Sequence, residues 1–123
     1  MQVDPASDRA MATTLAATRE RGPRRRLVHE LQRLGGGHGE LVSHAERPWS
    51  SITFSGTRHS IVLRFSGEEA SDAGEALIAA LPDHEFTVPG QLVADASIVR
   101  ADQVMLPAPC LTVEAELLLL DES

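Results

Sequence analysis

The stretch WSSITFSGTRHSIVLRF, residues 49–65, decides the fold of this chain. Apolar and polar side chains alternate along it with a period of two, which is typical of strands that bury one face. Ile52 and Phe54 belong to the first alternating run, and residues 61–65 form the second. The polar segment 55–59 between the runs contains a glycine, as a short hairpin loop requires. The sequence therefore predicts a β-hairpin whose loop is residues 55–59.

Helical patterns lie on both sides of this hairpin. The first helix is predicted to begin at Pro23, a residue suited to a first helical turn, and to end at the glycines 35–37. The second is predicted to follow the hairpin and to end at Pro82. Each has an apolar stripe at helical spacing. The stripes are Leu27, Val28, Leu31 and Leu34 in the first helix, and Ala70, Ala73, Leu77, Ala80 and Leu81 in the second.

Two further strands are predicted after the second helix. The first covers residues 86–98, where apolar residues share even-numbered positions. It is interrupted at residues 89–90 by Pro-Gly, which indicates a bulge, a bend or a tight turn. Residues 101–110 contain two prolines and are interpreted as a loop, and residues 111–120 alternate as the last strand.

The resulting fold class is α+β. Residues 40–45 add a short edge strand that should stop before Pro48, because proline cannot donate to a strand ladder. Sequential neighbours usually pair, so we expect an antiparallel sheet of about four strands with two helices on one face, in the order α-β-β-α-β-β. We expect a flexible basic arm over residues 1–22 and a single domain over residues 23–123.

Composition limits the class of protein. A single cysteine, Cys110, among 123 residues allows no internal disulfide and favours a reducing cytoplasm. The first residues lack the order of a secretory signal, and the strongly apolar run 117–120 is too short to cross a membrane. The absence of lysine, asparagine and tyrosine indicates codon bias in a GC-rich, bacterial genome. We therefore expect a small, soluble, cytoplasmic protein.

Charge is unevenly distributed. The net charge is −7, with +3 over residues 1–26 and −10 over residues 27–123. An acidic body repels nucleic acid, whereas a basic arm attracts phosphates, so a nucleic-acid-associated protein is one alternative. No aromatic residue interleaves the arginines to stack on bases, which favours a solvated patch or one folded against the acidic body. The arginines of this alternative are Arg19, Arg21, Arg24, Arg25 and Arg26.

Histidines offer a second alternative, a small enzyme or a metal-binding protein. His38 and His44 flank the predicted edge strand, and His59 lies in the predicted hairpin loop. Tight spacings such as His-x-x-x-His, which are usual for metal sites, do not occur. The sequence therefore predicts no metal and no cofactor.

The carboxylates, the glycine-rich segment and the cysteine can each be explained without a catalytic role. Asp95, Glu114 and Glu116 are predicted on the solvent face of the last strands, where paired carboxylates can act as acid and base but usually only meet water. The glycine-rich segment 35–39 follows a helix, whereas phosphate-binding loops precede one, so it ends the helix. Cys110 has no nucleophile motif around it. No catalytic residue is predicted, and enzymatic activity is not favoured.

The sheet face that the helices leave open is the predicted binding surface. It mixes apolar and charged residues and is more apolar than a free surface requires, which usually marks an interface. We therefore expect a non-catalytic interaction module that forms a homodimer or binds a protein partner through this face. The alternative is that the N-terminal segment folds across the face and covers it. The residues expected to contribute are Val62, Arg64, Val93, Asp95, Val99, Glu114, Glu116, Leu118 and Leu120.

Overall fold

Two α-helices and four strands make up residues 22–122, the part of the chain that the computed structural model describes. Their order, α-β-β-α-β-β, confirms the expected α+β fold. The predicted arm lies outside the described residues, apart from Gly22. The elements are α1 (Pro23–Leu34), β1 (Glu40–Ser50), β2 (Ser55–Ser66), α2 (Glu68–Ala80), β3 (Gln91–Val104) and β4 (Cys110–Asp121), with a 3₁₀ turn at Leu81–Asp83.

One antiparallel sheet carries the fold. Its strand order is β1-β2-β4-β3, so β1 and β3 are the edges. The buried apolar side chains of α1 and α2, among them Leu27, Leu31 and Leu77, share one core with the inward residues of β2 and β4. The alternation predicted for the last strand is confirmed at its inward positions. These are Leu111, Val113, Ala115, Leu117 and Leu119, each at most 3% exposed.

The ring of Phe65 lies at the centre of this core, enclosed by glycines. A Cβ on Gly35 or Gly74 would come within 2.8 Å of the ring, and one on Gly39 within 3.0 Å. Phe65 itself is completely buried. The glycine-rich segment after α1 therefore does more than end the helix, because it also lets the backbone approach an aromatic ring closely.

Gly74→Ala in the middle of α2 should consequently destabilise the protein. At an ordinary helical position this change stabilises by about 0.5–1 kcal/mol. Here the new methyl group would lie 2.8 Å from both Phe65 and Leu111, and overpacking of this kind costs about 1–3 kcal/mol. Urea denaturation measures the difference. The exposed neighbour Glu75→Ala is the control and should stay within about 0.5 kcal/mol of the wild type.

The predicted position of the hairpin loop is wrong. The strands β1 and β2 are joined by residues 51–54, and the segment expected to form the loop is the start of β2. Ser51 closes the actual loop, because its amide donates to the Phe54 carbonyl (2.8 Å) and its hydroxyl accepts from the Phe54 amide (3.1 Å). Ile52 is fully exposed and Phe54 is 55% exposed, so neither contributes to the core.

The bounds of two strands differ from the prediction. β1 runs through Pro48 to Ser50, which an edge strand tolerates because the missing N–H can face solvent. β3 begins only at Gln91, so residues 86–90 of the predicted strand lie outside it. It continues to Val104, so only residues 105–109 of the expected loop 101–110 are irregular. Pro89-Gly90 forms a tight turn, in which the Gln91 amide donates to the Val88 carbonyl (3.0 Å) and Gly90 has φ of 77°.

Bulges in β3 change which residues face the core. Val93 pairs with Leu119 and Asp95 with Leu118, so Ala94 is an extra residue. A bulge of this type shifts the alternation by one position. Val93 accordingly packs against the core, whereas Leu92 is 53% exposed. The prediction that Val93 belongs to the open face is therefore wrong, and Leu92 takes its place.

None of the helices within residues 22–122 is long and apolar enough to cross a membrane.

Candidate functional site

The open sheet face is the first candidate surface, and its members follow from the strand register. Residues paired directly across an antiparallel sheet lie on the same face. Leu118 therefore shares its face with Arg58 and Asp95, and Glu114 shares it with Val62 and Arg100. We call this surface the outer face. It comprises Glu40, Ser43, Ala45, Arg47, Trp49, Arg58, Ser60, Val62, Arg64, Leu92, Asp95, Ser97, Val99, Arg100, Asp102, Val104, Thr112, Glu114, Glu116, Leu118 and Leu120.

Charges on the outer face largely neutralise one another. Arg58 donates to Glu116 (3.3 Å), Arg64 to Glu40 (3.4 Å) and Arg100 to Asp102 (2.7 Å). Ser60 donates to the carboxylate of Glu114 (2.8 Å). The predicted carboxylates Glu114 and Glu116 thus have separate partners on β2. Asp95 is exposed one strand further along.

Apolar exposure on this face is concentrated along β3. Leu92, Val99 and Val104 are each 50–55% exposed, and Val99 is the extra residue of the second β3 bulge. Leu118 and Leu120, which were expected to be open, are only 8% and 9% exposed. The prediction that those two leucines offer free apolar surface is therefore wrong.

A cluster of two histidines and one carboxylate forms the second candidate site. His44 and Glu46 lie two residues apart on β1, so their side chains share a face, and His59 of β2 pairs directly with Glu46. His44 Nε2 and His59 Nδ1 are 2.8 Å apart. One ligand atom from each of the three residues lies within 4.8 Å of the others. We call this the His44–Glu46–His59 cluster. It lies on the helix-covered side of the sheet.

Burial keeps both imidazoles neutral. The pKa of His44 is lowered to about 4, first by loss of solvation and then by the positive charge of Arg24. The pKa of His59 is also lowered, mainly by burial, although Glu46 acts in the opposite direction. A neutral imidazole carries a lone pair, so the two rings can share one proton in a hydrogen bond and can also bind a cation.

Helix α1 covers the cluster with an arginine. The guanidinium of Arg24 contacts the Glu46 carboxylate and donates to the His44 carbonyl (3.4 Å). A cavity of 230 Å³ lies beside it, lined by the first turns of α1, by Leu41 and by His44. His44 Nδ1 is buried and has no hydrogen-bond partner within residues 22–122. A buried polar atom left without a partner typically costs about 1–3 kcal/mol.

The sequence predicts only part of this cluster. It indicates His44 and His59 as possible metal ligands, but not Glu46. The spacing His44-x-Glu46 on a strand was the available signal, because it places both side chains on one face. Assigning His59 to a loop hid its position opposite Glu46. The third predicted histidine, His38, lies elsewhere and is 3.8 Å from Glu69.

Three of the five arginines of the nucleic-acid alternative lie within the described residues. Arg19 and Arg21 lie outside the described residues. Arg24 contacts Glu46, Arg26 is 3.5 Å from Glu30, and Arg25 is exposed. Two of the three described arginines are thus engaged by acidic side chains of the same chain. Nucleic-acid binding through this segment stays a prediction.

No protein-family model matches the chain, and no curated protein and no solved structure matches it either.

Proposed function

We propose that this protein is a non-catalytic interaction module that self-associates as a homodimer through the outer face. The observation that carries the proposal is the combination of half-exposed Leu92, Val99 and Val104 with charges that are already paired within the same face. Half-exposed apolar groups gain when water is removed, and charges that already have partners are not left isolated in an interface.

Charge balance favours a second copy as the partner. Residues 22–122 contain eight arginines and fifteen acidic residues, a net charge of −7. The outer face contains four of these arginines and five of the acidic residues, which leaves it at −1. Two copies that meet through this face therefore bring together nearly neutral surfaces. A two-fold contact through α1, which carries +3, or through the remaining described residues, which carry −9, would oppose like charges, which is unfavourable.

The size of the face is also sufficient. Four strands of 11 to 14 residues cover roughly 35 Å by 20 Å, or about 700 Å². A stable interface buries about 800 Å² per partner, which is close to this value. The strand edges are less suitable, because β1 carries one bulge and β3 carries two, and bulges discourage edge-to-edge pairing.

Sedimentation velocity on the full chain tests the proposal. We expect a species of twice the 13.2 kDa chain mass at micromolar concentration. The double substitution Leu92→Arg and Val99→Arg should convert it to a monomer, because four additional positive charges would face one another in the dimer. Both positions are half exposed, so the fold should be retained, as circular dichroism would verify.

Ile52→Arg provides the matched control. Ile52 is a fully exposed apolar residue in the β1–β2 loop, away from the outer face, so its replacement should leave the dimer intact. A wild-type chain that remains monomeric at every concentration would refute the proposal. A dimer that survives the double substitution but dissociates with Ile52→Arg would place the interface at the hairpin loop instead.

We also propose a cytoplasmic location in a bacterial cell. Cys110 is a free thiol, half buried at the start of β4, which is compatible with a reducing compartment. The GC-rich codon bias indicated by the composition supports the bacterial assignment.

A further inference from the structure

We propose that His44, Glu46 and His59 form a binding site for a single zinc-like divalent cation. The site is independent of the proposed dimer, because the cluster lies on the helix-covered side of the sheet and the outer face lies on the other.

The donor set matches the chemistry of zinc. Two imidazole nitrogens and one carboxylate oxygen are ligands that Zn²⁺ accepts, and sites with three protein ligands keep a fourth position for water or another small molecule. Softer thiolate ligands are absent from the cluster, and the hard cations Mg²⁺ and Ca²⁺ prefer oxygen donors throughout. The chemistry therefore favours a borderline divalent transition metal.

The geometry requires only small movements. Ligands placed tetrahedrally at about 2.0–2.1 Å from Zn²⁺ are about 3.3 Å apart. His44 Nε2 and His59 Nδ1 are 2.8 Å apart and would separate by roughly 0.5 Å. Glu46 has to approach further, since the cluster spans up to 4.8 Å. Its side chain is partly exposed, and this movement requires the carboxylate to leave or share its contact with Arg24.

The backbone already holds the histidine ligands in place. Direct pairing of Glu46 with His59 and of His44 with Ile61 sets the spacing of the ligands across two adjacent strands. Ligands on paired strands lose little conformational entropy when they bind a cation.

Arg24 occupies the position of a competing cation. Its guanidinium contacts the same carboxylate that the metal requires, so Zn²⁺ must displace it or share Glu46 with it. Removing the arginine should therefore strengthen metal binding, whereas a purely structural arginine would have no such effect. Substitution of a histidine ligand and substitution of Arg24 should therefore change the affinity for the metal in opposite directions.

Isothermal titration calorimetry of the metal-stripped full chain with Zn²⁺ alone at neutral pH is the experiment. We expect one ion per chain. His59→Gln and His44→Gln should each weaken binding by at least about tenfold, and Arg24→Gln should strengthen it. His38→Gln, which removes a histidine outside the cluster, should leave the affinity unchanged. The oligomeric state should be the same with and without metal.

Substitution by Co²⁺ supplies a second readout that does not depend on affinity. A four-coordinate site should give the intense visible absorption of tetrahedral Co²⁺, and His59→Gln should abolish it. The proposal is overturned if the wild type binds no Zn²⁺. It is equally overturned if binding survives both histidine substitutions, or if Arg24→Gln weakens it while circular dichroism shows an intact fold.

Discussion

Replacement of Phe65 by alanine is expected to lower the free energy of unfolding by about 3–5 kcal/mol. The ring is completely buried and is enclosed by Gly35, Gly39 and Gly74. Glycines have no side chains that could move into the space left by the ring, so a cavity would remain. Since domains of this size are stable by only about 5–15 kcal/mol, the change would remove a large part of the total.

Phe54→Ala is the matched control for this prediction. Phe54 lies in the same stretch of sequence but is 55% exposed in the β1–β2 loop, so its truncation should cost less than about 1 kcal/mol. Urea denaturation of both variants measures the contrast. If Phe65→Ala does not express in folded form, Phe65→Leu should still fold and show a smaller loss. Equal losses at positions 54 and 65 would contradict the assigned hairpin register.

Acidification from about pH 7.5 to about pH 5 should also destabilise the protein. His44 has a pKa of about 4 in the folded protein, below the ordinary value of 6.5, and the pKa of His59 is lowered as well. The unfolded chain therefore binds more protons between these values. The stabilisation that these two neutral histidines contribute is fully present when the pH is above their pKa in the unfolded chain. It is lost as the pH falls toward their lower pKa in the folded protein.

The expected loss from His44 at about pH 5 is roughly 1 kcal/mol, because the site is only about half buried and solvent screens part of the shift. His59 adds a loss of the same sign. Denaturation of wild type and His44→Gln at both pH values measures it: the variant should lose less stability on acidification. His29→Gln removes an exposed histidine of α1 and serves as control. An identical pH dependence in wild type and His44→Gln would refute the prediction.

The pH-dependence experiment and the zinc-binding experiment test the same histidines independently. The pH prediction concerns the metal-free protein and rests on burial of His44 and His59 beside Arg24. Zinc binding concerns the same atoms as ligands. A pH-dependent stability with no zinc binding would identify the cluster as a structural contact between β1 and β2.

Local patterns in the sequence predicted much of the fold. The apolar stripe of α1 and the glycines that follow it located the helix and its end, because both signals reside in adjacent residues. The alternation in β4 was strong enough to assign every inward residue from Leu111 to Leu119 correctly. The sequence predicted only part of the candidate cluster. It indicated His44 and His59 as possible ligands, but it did not predict that the two side chains contact each other.

The sequence by itself determined the number, type and order of the elements, because hydrophobic periodicity and helix-ending residues act over a few positions. Only the tertiary structure decided the β1–β2 register, the bulges that turn Val93 inward, and the meeting of His59 with Glu46. Residues 52–55 alternate as well as a strand does, so local pattern did not exclude them. Register depends instead on which residues of distant segments pack together, and a shift of one residue exchanges the two faces of a strand.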